Sequence, residues 1–343
     1  MSQPVGTVEG TEVRVSGDAR QRFFDSRGYG EPRGGNEVAL APVEAAHLLS
    51  RGDLASVDGM DFREFLGRDE GLVVRFRVYA DLRSRGFYLS PTRWTDADAD
   101  SETDFVVYER GERPFDGDRR YVVRVIGERA PLPISDLDDG VLAVVDEESE
   151  VTYFEVGSPE FDGPSAGELP TGSVTGELLS DRVVLWDAPA SLYERSFYGQ
   201  PIGGRDADPS ELALSLVEGA YLAERGALEL EAENIEGRGL ESEGERFDRR
   251  LAVYTTLRER GFVPKTGFKF GADFRVYGDV QSVDELGHSE HLVRVLPSGY
   301  VLSPRELSLD VRLAGGVRKR MVFAPYGASS DTSEWRAVRR LTP

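Results

Sequence analysis

The chain contains the same set of motifs twice, in the same order. The segment VYADLRSRGF at 78–87 matches VYTTLRERGF at 253–262 at seven of ten positions. Further pairs are VEAAHLLSRGDL with VEGAYLAERGAL (43–54 and 217–228), DFVVY with DFRVY (104–108 and 273–277), and YVVRV with HLVRV (121–125 and 291–295). Because the offset stays near roughly 170 residues, the pattern indicates a tandem duplication of about 165 residues per copy and not a solenoid.

The fold class that this pattern predicts is α+β. Each copy is expected to combine a small α+β N-terminal half with an α/β C-terminal, nuclease-like half that has a mostly β core. The expected divisions are 1–72 and 73–157 in the first copy, and 171–243 and 244–343 in the second. Residues 158–170, which are rich in Pro, Gly and Ser, are expected to link the two copies.

Capping signals and turn residues predict two helices in the second copy. The sequence Asp208-Pro-Ser-Glu211 has the form of a capping box with proline at the first helical position, which predicts a helix that ends at Gly226. A further helix is expected from about Arg246 to a stop at Gly261.

Alternating apolar residues predict strands. Short alternating segments at 12–15 and 182–186 are typical of strands, and so is the longer segment 268–276. In that longer segment one face is expected to be apolar and the other polar. The apolar face would carry Phe268, Phe270, Ala272, Phe274 and Val276, and the polar face Lys269, Asp273, Arg275 and Tyr277.

A capping box at Ser303-Pro-Arg-Glu306 predicts a helix that begins at Pro304. On this helix Arg312 and Lys319 would lie two turns apart on one face. Two glycines between them, at 315 and 316, suggest a close approach by a ligand such as a nucleic-acid backbone. The alternative is a solvated basic helix end that complements the helix macrodipole.

The charge of the chain is strongly negative. Asp and Glu number 62 against 41 Lys and Arg, which gives a net charge of −21 and a pI near 4.7. The acidic residues are spread along the whole chain, and almost every basic residue is arginine. Such a surface is typical of a protein kept soluble in concentrated salt, where the Debye length falls to about 3 Å at 1 M. A basic partner of a cytosolic protein is the alternative, and the even spread of acid favours salt adaptation.

Several classes of protein do not fit this composition. Without cysteine there is no disulfide framework, no thiolate zinc site and no cysteine nucleophile. The first ten residues lack a basic segment followed by an apolar one, and no apolar run approaches eighteen residues. We therefore expect a cytoplasmic protein with no membrane partner.

The few lysines cluster near the C-terminal end. Lys265, Lys269 and Lys319 are the three lysines of the sequence, and His288 and His291 lie in the same region. This retention of lysine predicts an active site within residues 265–340. His291 should pack with the valines of its strand, whereas His288 precedes the strand and is free to react. A metal site built from both is disfavoured, because a strand directs them to opposite faces.

Three motifs of this region together resemble the archaeal tRNA-splicing endonucleases. They are KTGFKFGADFRVY at 265–277, HSE at 288–290 and VRK at 317–319. The two-copy chain is similar to the fused, homodimeric form of that family. The resemblance implies cofactor-free cleavage of precursor tRNA at a bulge–helix–bulge, which gives a 2′,3′-cyclic phosphate and a 5′-hydroxyl. It also implies a catalytic triad of Tyr277, His288 and Lys319, although Tyr277 alone would be an ordinary sheet tyrosine.

The implied roles suit these side chains. The ribose 2′-OH is the nucleophile, so the protein supplies a base, an acid and a cation. By the family's roles Tyr277 is the base, His288 the acid and Lys319 the electrostatic stabiliser. A tyrosine has an ordinary pKa of about 10, which a nearby ammonium would lower.

The first copy is expected to be catalytically inactive. Tyr108 corresponds to Tyr277, but Asp118 stands opposite His288, and no counterpart of the lysine-bearing helix is predicted. By resemblance to the family's interface loop, the acidic turn Asp146, Glu147 and Glu148 would insert into a partner's catalytic copy. A plain hairpin turn is the alternative.

RNA recognition must overcome the negative charge of the protein. The local basic patch expected to do so is Arg275, Arg294, Arg312, Arg318, Lys319, Arg320 and Arg336. The family uses two arginines to stack on bulge bases, and Arg312 and Arg336 are the positions that match. The expected partners are precursor tRNA and a second copy of the chain, with no DNA.

Two other functions remain open at this stage. One is an RNA-binding module with the same fold and no cleavage activity, which the complete triad disfavours. The other is a metal-dependent nuclease, for which Asp273 and Glu290 could be recruited. Sensitivity to EDTA separates this alternative from metal-free cleavage, for which no metal and no cofactor are expected.

The acidic surface leads to a prediction about stability. We expect the protein to unfold as salt is removed, because the repulsion within a chain of net charge −21 is then no longer screened. Thermal unfolding followed by circular dichroism from molar to millimolar KCl measures this. A melting temperature that does not depend on salt would contradict salt adaptation.

Overall fold

The structure is a computed structural model of the chain. It describes residues 3–95, 102–114, 117–160, 163, 169, 172–278, 280–326 and 334–343. Most of the predicted linker at 158–170 lies outside the described residues, and the predicted domain boundaries stay predictions. Across the described ranges, no helix combines the length and apolarity that crossing a membrane requires.

The first copy begins with a small sheet in the order β3-β4-β2-β1-β5. Its strands are β1 (Val5–Glu9), β2 (Glu12–Val15), β3 (Glu31–Pro32), β4 (Val38–Leu40) and β5 (Ser56–Val57). Its helices are α1 (Pro42–Ser50), α2 (Phe62–Leu66) and α3 (Glu70–Ser84), and the strands that follow are β6 (Leu89–Pro91), β7 (Phe105–Tyr108), β8 (Arg119–Gly127), β9 (Leu132–Pro133), β10 (Gly140–Val145) and β11 (Val151–Gly157).

The second copy repeats this order, with a small sheet arranged β12-β13-β15-β14. Its first strands are β12 (Gly176–Leu178), β13 (Arg182–Leu185), β14 (Gln200–Pro201) and β15 (Leu212–Ser215), and its helices are α4 (Ala190–Glu194), α5 (Leu216–Glu224), α6 (Ala232–Glu243) and α7 (Glu245–Glu259). The later elements are β16 (Val263–Thr266), β17 (Phe274–Tyr277), β18 (His291–Pro297), β19 (Val301–Leu302), α8 (Pro304–Gly316), β20 (Arg320–Tyr326) and β21 (Arg336–Leu341).

The two C-terminal halves share one sheet. In the described part of the chain its order is β16-β17-β18-β20-β21-β11-β10-β8-β7-β6, which reads the same in both copies from the centre outward. The centre is the antiparallel pair β11 and β21, where Val156 lies opposite Val338. The short strands β9 and β19 likewise form an antiparallel pair between the two copies. The expected α+β duplication with a mostly β C-terminal core is confirmed.

Helix α7 and strands β2 and β13 confirm the local predictions, and Gly261 has a φ of +78° after the helix, as a helix stop requires. The predicted capping box at Asp208 and Glu211 is wrong. Asp208 instead accepts a hydrogen bond from the Ser210 amide in a turn. The next residues form β15 because they pair with β13 on one side and β14 on the other.

The helix itself begins later than predicted. Its N-cap is Ser215, whose hydroxyl accepts a hydrogen bond from the Glu218 amide, while the Glu218 carboxylate accepts one from the Ser215 amide. This reciprocal arrangement is a true capping box, placed seven residues beyond Asp208.

The single strand predicted over residues 268–276 is also wrong. Strands β16 and β17 form a hairpin, and Phe268–Phe270 between them is a 3-10 turn. Gly271, with a φ of +69°, reverses the chain in a conformation that favours glycine. As a result Phe268 is 87% exposed and does not face the core.

Candidate active site

The predicted triad residues lie on segments that meet at one edge of the large sheet. Strand β17 runs antiparallel to β18, and β18 runs parallel to β20. The end of β17 therefore lies beside the starts of β18 and β20, in a row formed by Val276, His291 and Arg320. Tyr277 follows this row by one residue, and Lys319 precedes it by one.

The strand spacing gives the scale of this arrangement. Tyr277 and Lys319 stand two strands apart, about 10 Å at the usual spacing. His288 belongs to the segment that enters β18 between them, three residues before His291. A substrate phosphate at this edge would therefore be approached from three separate segments.

Lys319 is placed by the end of α8. Ser303 caps the start of this helix as predicted, accepting a hydrogen bond from the Glu306 amide. The predicted position of Lys319 on the helix is wrong, since α8 ends at Gly316. The Arg318 amide donates to Gly315 O and the Lys319 amide to Ala314 O, which is a Schellman motif.

The residue at the left-handed position of this motif is Arg318, with a φ of +58°, where glycine is usual. The strained turn directs the chain from the helix straight into β20. Lys319 is thus fixed by backbone hydrogen bonds on one side and by the sheet on the other.

The Lys319 ammonium contacts the segment that carries His288. It donates a hydrogen bond to the Ser289 carbonyl at 2.6 Å. Partial burial, and then the positive charge of Arg275, lower the pKa of Lys319 below its ordinary value. This contact brings the lysine and the residue that follows His288 into one cluster.

Tyr277 is largely buried, and its ring is held by aromatic and cationic neighbours. The Phe197 ring packs against it edge to face, with 5.8 Å between centroids. The Arg275 guanidinium carbon lies 5.7 Å from the centre of the Tyr277 ring. Arg275 therefore stands near both Tyr277 and Lys319, although the sequence suggested only a general role in a basic patch.

The two histidines have different surroundings. His288 is exposed at the sheet edge, as a residue that reacts with substrate must be. His291 is buried in β18, and burial followed by the charge of Arg320 lowers its pKa to about 4. The prediction that His291 is a packed histidine is confirmed.

Lys265, the first of the clustered lysines, has a structural place. Its buried ammonium donates to Glu218 at 2.6 Å, to Gly199 O at 2.9 Å and to Phe197 O at 3.2 Å. Burial alone would raise the pKa of Glu218, but the adjacent Lys265 charge holds this pKa below its usual value. The pair ties the N-terminal half of the copy to the sheet that carries Tyr277.

Phe197 is the link between this ion pair and Tyr277. Its φ is +52°, a conformation that costs about 1–2 kcal/mol for a residue with a side chain. The Lys265 ammonium holds its carbonyl and lies 4.9 Å from its ring centre. The strained residue thus presents its ring to Tyr277, a contact that no local sequence pattern predicted.

The first copy has acidic residues at the positions of the histidine and the lysine of the predicted triad. Register in the two halves places Asp118 at the position of His288 and Asp138 at that of Lys319. Where α8 lies in the second copy, the first has the short 3-10 turn Ile134–Asp136. Tyr108 remains, buried at the position of Tyr277.

The side chains of Arg312 and Arg336 have different surroundings. Arg312 is exposed on α8. The Arg336 guanidinium donates to Leu137 O at 2.7 Å and lies 3.9 Å from Asp139, both in the first copy. Stacking on a base would require Arg336 to leave these partners.

Arg294 does not belong to the predicted basic patch. Its guanidinium donates to Asp310 at 2.5 Å and to Glu306, which holds α8 against β18. Arg318 and Arg320 are exposed beside Lys319.

Asp273, one of the carboxylates considered for a metal site, is committed elsewhere. It accepts hydrogen bonds from Arg246 at 2.6 Å and from the Val295 amide at 2.8 Å. Asp104 makes the same contacts in the first copy, with Arg75 and the Val125 amide. Among the described residues, no group of three or more His, Asp or Glu side chains is arranged to hold a metal ion.

The acidic turn between β10 and β11 is shaped by one of its own carboxylates. Asp146 accepts hydrogen bonds from the Glu148 amide at 2.9 Å and the Glu150 amide at 2.8 Å. Glu147 and Glu148 are exposed, and Glu147 pairs with Arg129. Two carboxylates thus face solvent from a turn that Asp146 stabilises.

Comparison with known families assigns both copies to one class of protein, the nucleases of tRNA introns. The catalytic C-terminal domain of tRNA intron endonucleases matches residues 247–334. The N-terminal domain of the same family matches twice, at 5–66 and 174–242. The double match agrees with the duplication seen in the sheets.

The chain belongs to the tRNA intron endonuclease family. A tRNA-splicing endonuclease of Haloarcula marismortui is 57% identical over 339 residues, covering 98% of this chain and 99% of the relative. That of Halobacterium salinarum strain R1 is 56% identical over 345 residues, with the same coverage. One of Methanococcoides burtonii is 37% identical over 340 residues, covering 91% and 93%. The chain is therefore an endonuclease of the tRNA-splicing type.

The ion pair beneath Tyr277 gives a prediction about stability. We expect Lys265→Met to lower the free energy of unfolding by about 3–5 kcal/mol, because it leaves the Glu218 carboxylate buried without its cation. The double variant Lys265→Met/Glu218→Gln should lose less than the single variant. Denaturant unfolding at fixed molar salt measures both.

The matched control is Lys269→Met, since Lys269 is exposed nearby and its loss should change stability by no more than about 0.5 kcal/mol. A double variant less stable than Lys265→Met would contradict the assignment of a coupled pair.

Proposed function

We propose that this endonuclease removes introns from precursor tRNA by cutting at a bulge–helix–bulge without a metal ion. The observation that supports this most is the meeting of the Tyr277, His288 and Lys319 segments at one sheet edge, with the Lys319 ammonium bound to the residue after His288. The side chains of a tyrosine, a histidine and a lysine suffice to catalyse attack of a ribose 2′-OH on the adjacent phosphorus with release of the 5′-oxygen.

In the proposed reaction the ribose 2′-oxygen attacks the adjacent phosphorus as its proton passes to the deprotonated oxygen of Tyr277. The bond from phosphorus to the 5′-oxygen breaks, and His288 donates a proton to that oxygen. Lys319 stabilises the additional negative charge on the phosphoryl oxygens. The products are a 2′,3′-cyclic phosphate and a 5′-hydroxyl, and no external water or oxidant is consumed.

The position of Arg275 supports these roles. It adds a second positive charge near Tyr277 and Lys319, where the reaction accumulates negative charge. Phe197, fixed by Lys265, limits the movement of the ring.

The proposed enzyme is a homodimer with two active sites. Each chain supplies one catalytic copy and one copy with aspartates in place of His288 and Lys319, so two chains give the two cuts that release an intron. We propose that Glu147 and Glu148, exposed on the turn between β10 and β11, insert beside basic groups of the partner's catalytic copy.

RNA binding is proposed to use the surface beside Lys319. Arg318 and Arg320 are exposed there, and Arg312 is exposed on α8. Phe268 offers an exposed aromatic ring on the turn that also carries Phe270, whose ring centre lies 5.9 Å from the Lys319 ammonium. Splayed bulge bases stack on aromatic rings and on guanidinium planes, so Phe268 and Arg312 are candidates for this contact.

The acid role of His288 can be tested directly. We expect His288→Ala to lower the single-turnover cleavage rate on a bulge–helix–bulge RNA by roughly 10²–10⁴-fold, the range for loss of a general acid. The matched control is Asp118→Ala, the counterpart in the first copy, which should leave the rate unchanged. An undiminished rate in His288→Ala would remove this residue from the mechanism.

The same assay separates the alternatives. Chemical typing of the wild-type product ends should show a 2′,3′-cyclic phosphate and a 5′-hydroxyl, and EDTA should not slow cleavage. Inhibition by EDTA would instead favour a metal-dependent nuclease. Binding of the RNA with no cleavage at all would favour a binding module.

The proposed interface predicts a change of assembly. We expect Glu147→Gln/Glu148→Gln to weaken the dimer, because the two exposed charges are lost while Asp146 keeps the shape of the turn. Sedimentation velocity at several protein concentrations measures this, with Glu150→Gln as the control in the same turn. An unchanged profile would show that the turn is not part of the interface.

A further inference from the structure

The first copy contains a cavity lined by arginines, far in sequence from the triad. Its volume is about 290 Å³. It lies between the ends of α1 and α3 and the loop at 27–29, and aromatic rings form part of its wall. The residues that line it and matter here are Arg27, Tyr29, His47, Arg51, Arg83 and Tyr88.

Positive charge around this cavity exceeds the local negative charge. The Asp53 carboxylate lies 2.7 Å from Arg27, 3.1 Å from Arg51 and 4.0 Å from Arg22. Arg83 adds a further guanidinium to the lining.

The opposing charges are smaller. They are Asp53, the buried Glu44 and the C-terminal ends of α1 and α3, which contribute about half a negative charge each. With Glu44 fully ionised, the three lining arginines balance these charges, and Arg22, 4.0 Å from Asp53, adds about one further positive charge.

The Arg83 guanidinium is held in a fixed orientation. It lies 4.2 Å from the Tyr29 ring centre and 5.3 Å from that of Tyr88. It also donates a hydrogen bond to Arg27 O at 2.9 Å. Such a pre-oriented planar group loses little entropy when it binds an oxyanion.

His47 contributes a polar wall without charge at neutral pH. Its Nδ1 lies 2.9 Å from the Tyr29 hydroxyl. Burial, followed by the charges of Arg83 and Arg51, lowers its pKa to about 4. The imidazole therefore remains neutral where the arginines are charged.

The second copy has different side chains at the corresponding positions. Tyr221 stands where His47 does, and Arg225, the counterpart of Arg51, lies 3.8 Å from its ring centre. Arg225 is also paired with Glu259 at 2.8 Å. The alignment of GYGEP at 28–32 with FYGQP at 197–201 places Ser196 at the position of Arg27. The first copy thus has Arg27 and Asp53 where the second has Ser196 and Ala227, and its Arg51 also pairs with Asp53.

We propose that this cavity binds a phosphate-type anion. Guanidinium groups match the geometry of phosphate oxygens in paired hydrogen bonds. The volume lies near the lower limit for small-molecule sites, which suits a phosphate group with part of its attached molecule. Arg27 and Arg51, whose side chains are 37% and 56% exposed, are open to an incoming ligand.

Inorganic phosphate is the probe for the first test. Because phosphate could also bind beside Lys319, the measurement uses the full-length Lys319→Met protein, and ³¹P line widths report binding at fixed molar KCl. Adding Arg27→Gln/Arg51→Gln should raise the dissociation constant at least roughly tenfold, since two charge-assisted hydrogen bonds are lost. Adding Arg225→Gln in the second copy should leave it unchanged.

An unchanged dissociation constant in Arg27→Gln/Arg51→Gln would overturn the proposal, and so would an equal loss in the Arg225→Gln control. Circular dichroism verifies the fold of each variant. If the double variant does not fold, Arg51→Gln alone replaces it, with the same criterion and a smaller expected change.

A second measurement identifies the source of the phosphate. With Lys319 intact, Arg27→Gln/Arg51→Gln should raise KM for precursor tRNA and leave kcat unchanged if the anion is a backbone phosphate of the substrate. An unchanged KM, together with lost phosphate binding, would assign the site to a free phosphate compound. Both results are consistent with an anion site in this cavity. If the cavity does not bind phosphate, the proposed roles of Tyr277, His288 and Lys319 are unaffected.

Discussion

The pairing of β11 with β21 is the contact on which the rest of the structure depends. It joins two copies into one continuous sheet, with Val156 opposite Val338 at the centre. A shift of register by one residue would turn every side chain of one strand to the wrong face. The copies are therefore held in a fixed relation, and Arg336 of the second can bind Leu137 O and Asp139 of the first.

Within this frame the two copies have kept their supporting carboxylates and changed the groups around them. Asp104 and Asp273 each bind an arginine and a backbone amide of the next strand. Glu44 and Glu218 are both buried, but Trp94 donates to the first and Lys265 to the second. In the first copy, for which no reaction is proposed, the buried carboxylate accepts a hydrogen bond from the neutral Trp94 indole. In the second copy, which positions Tyr277, it accepts one from the Lys265 ammonium.

Sequence patterns predicted those features that are decided locally. The start of α8 at Ser303, the end of α7 and strand β2 follow from residues within one or two turns. The box at Asp208 failed because pairing with β13 and β14 outweighed a local helix signal. The structural role of Lys265 could not be predicted, since its carboxylate partner lies 47 residues away along the chain.

The proposed RNA-binding surface belongs to a strongly acidic protein. In molar salt the charge of −21 is screened beyond about 3 Å, so long-range repulsion fades and long-range attraction fades with it. Only cations that touch the substrate then contribute to recognition. Lys319, held by a backbone turn and Ser289, is proposed as such a contact, and Arg83, held between two rings, is equally fixed in the proposed anion cavity. An enzyme that works under these conditions must select RNA by the shape of its contacts, because its overall field cannot do so.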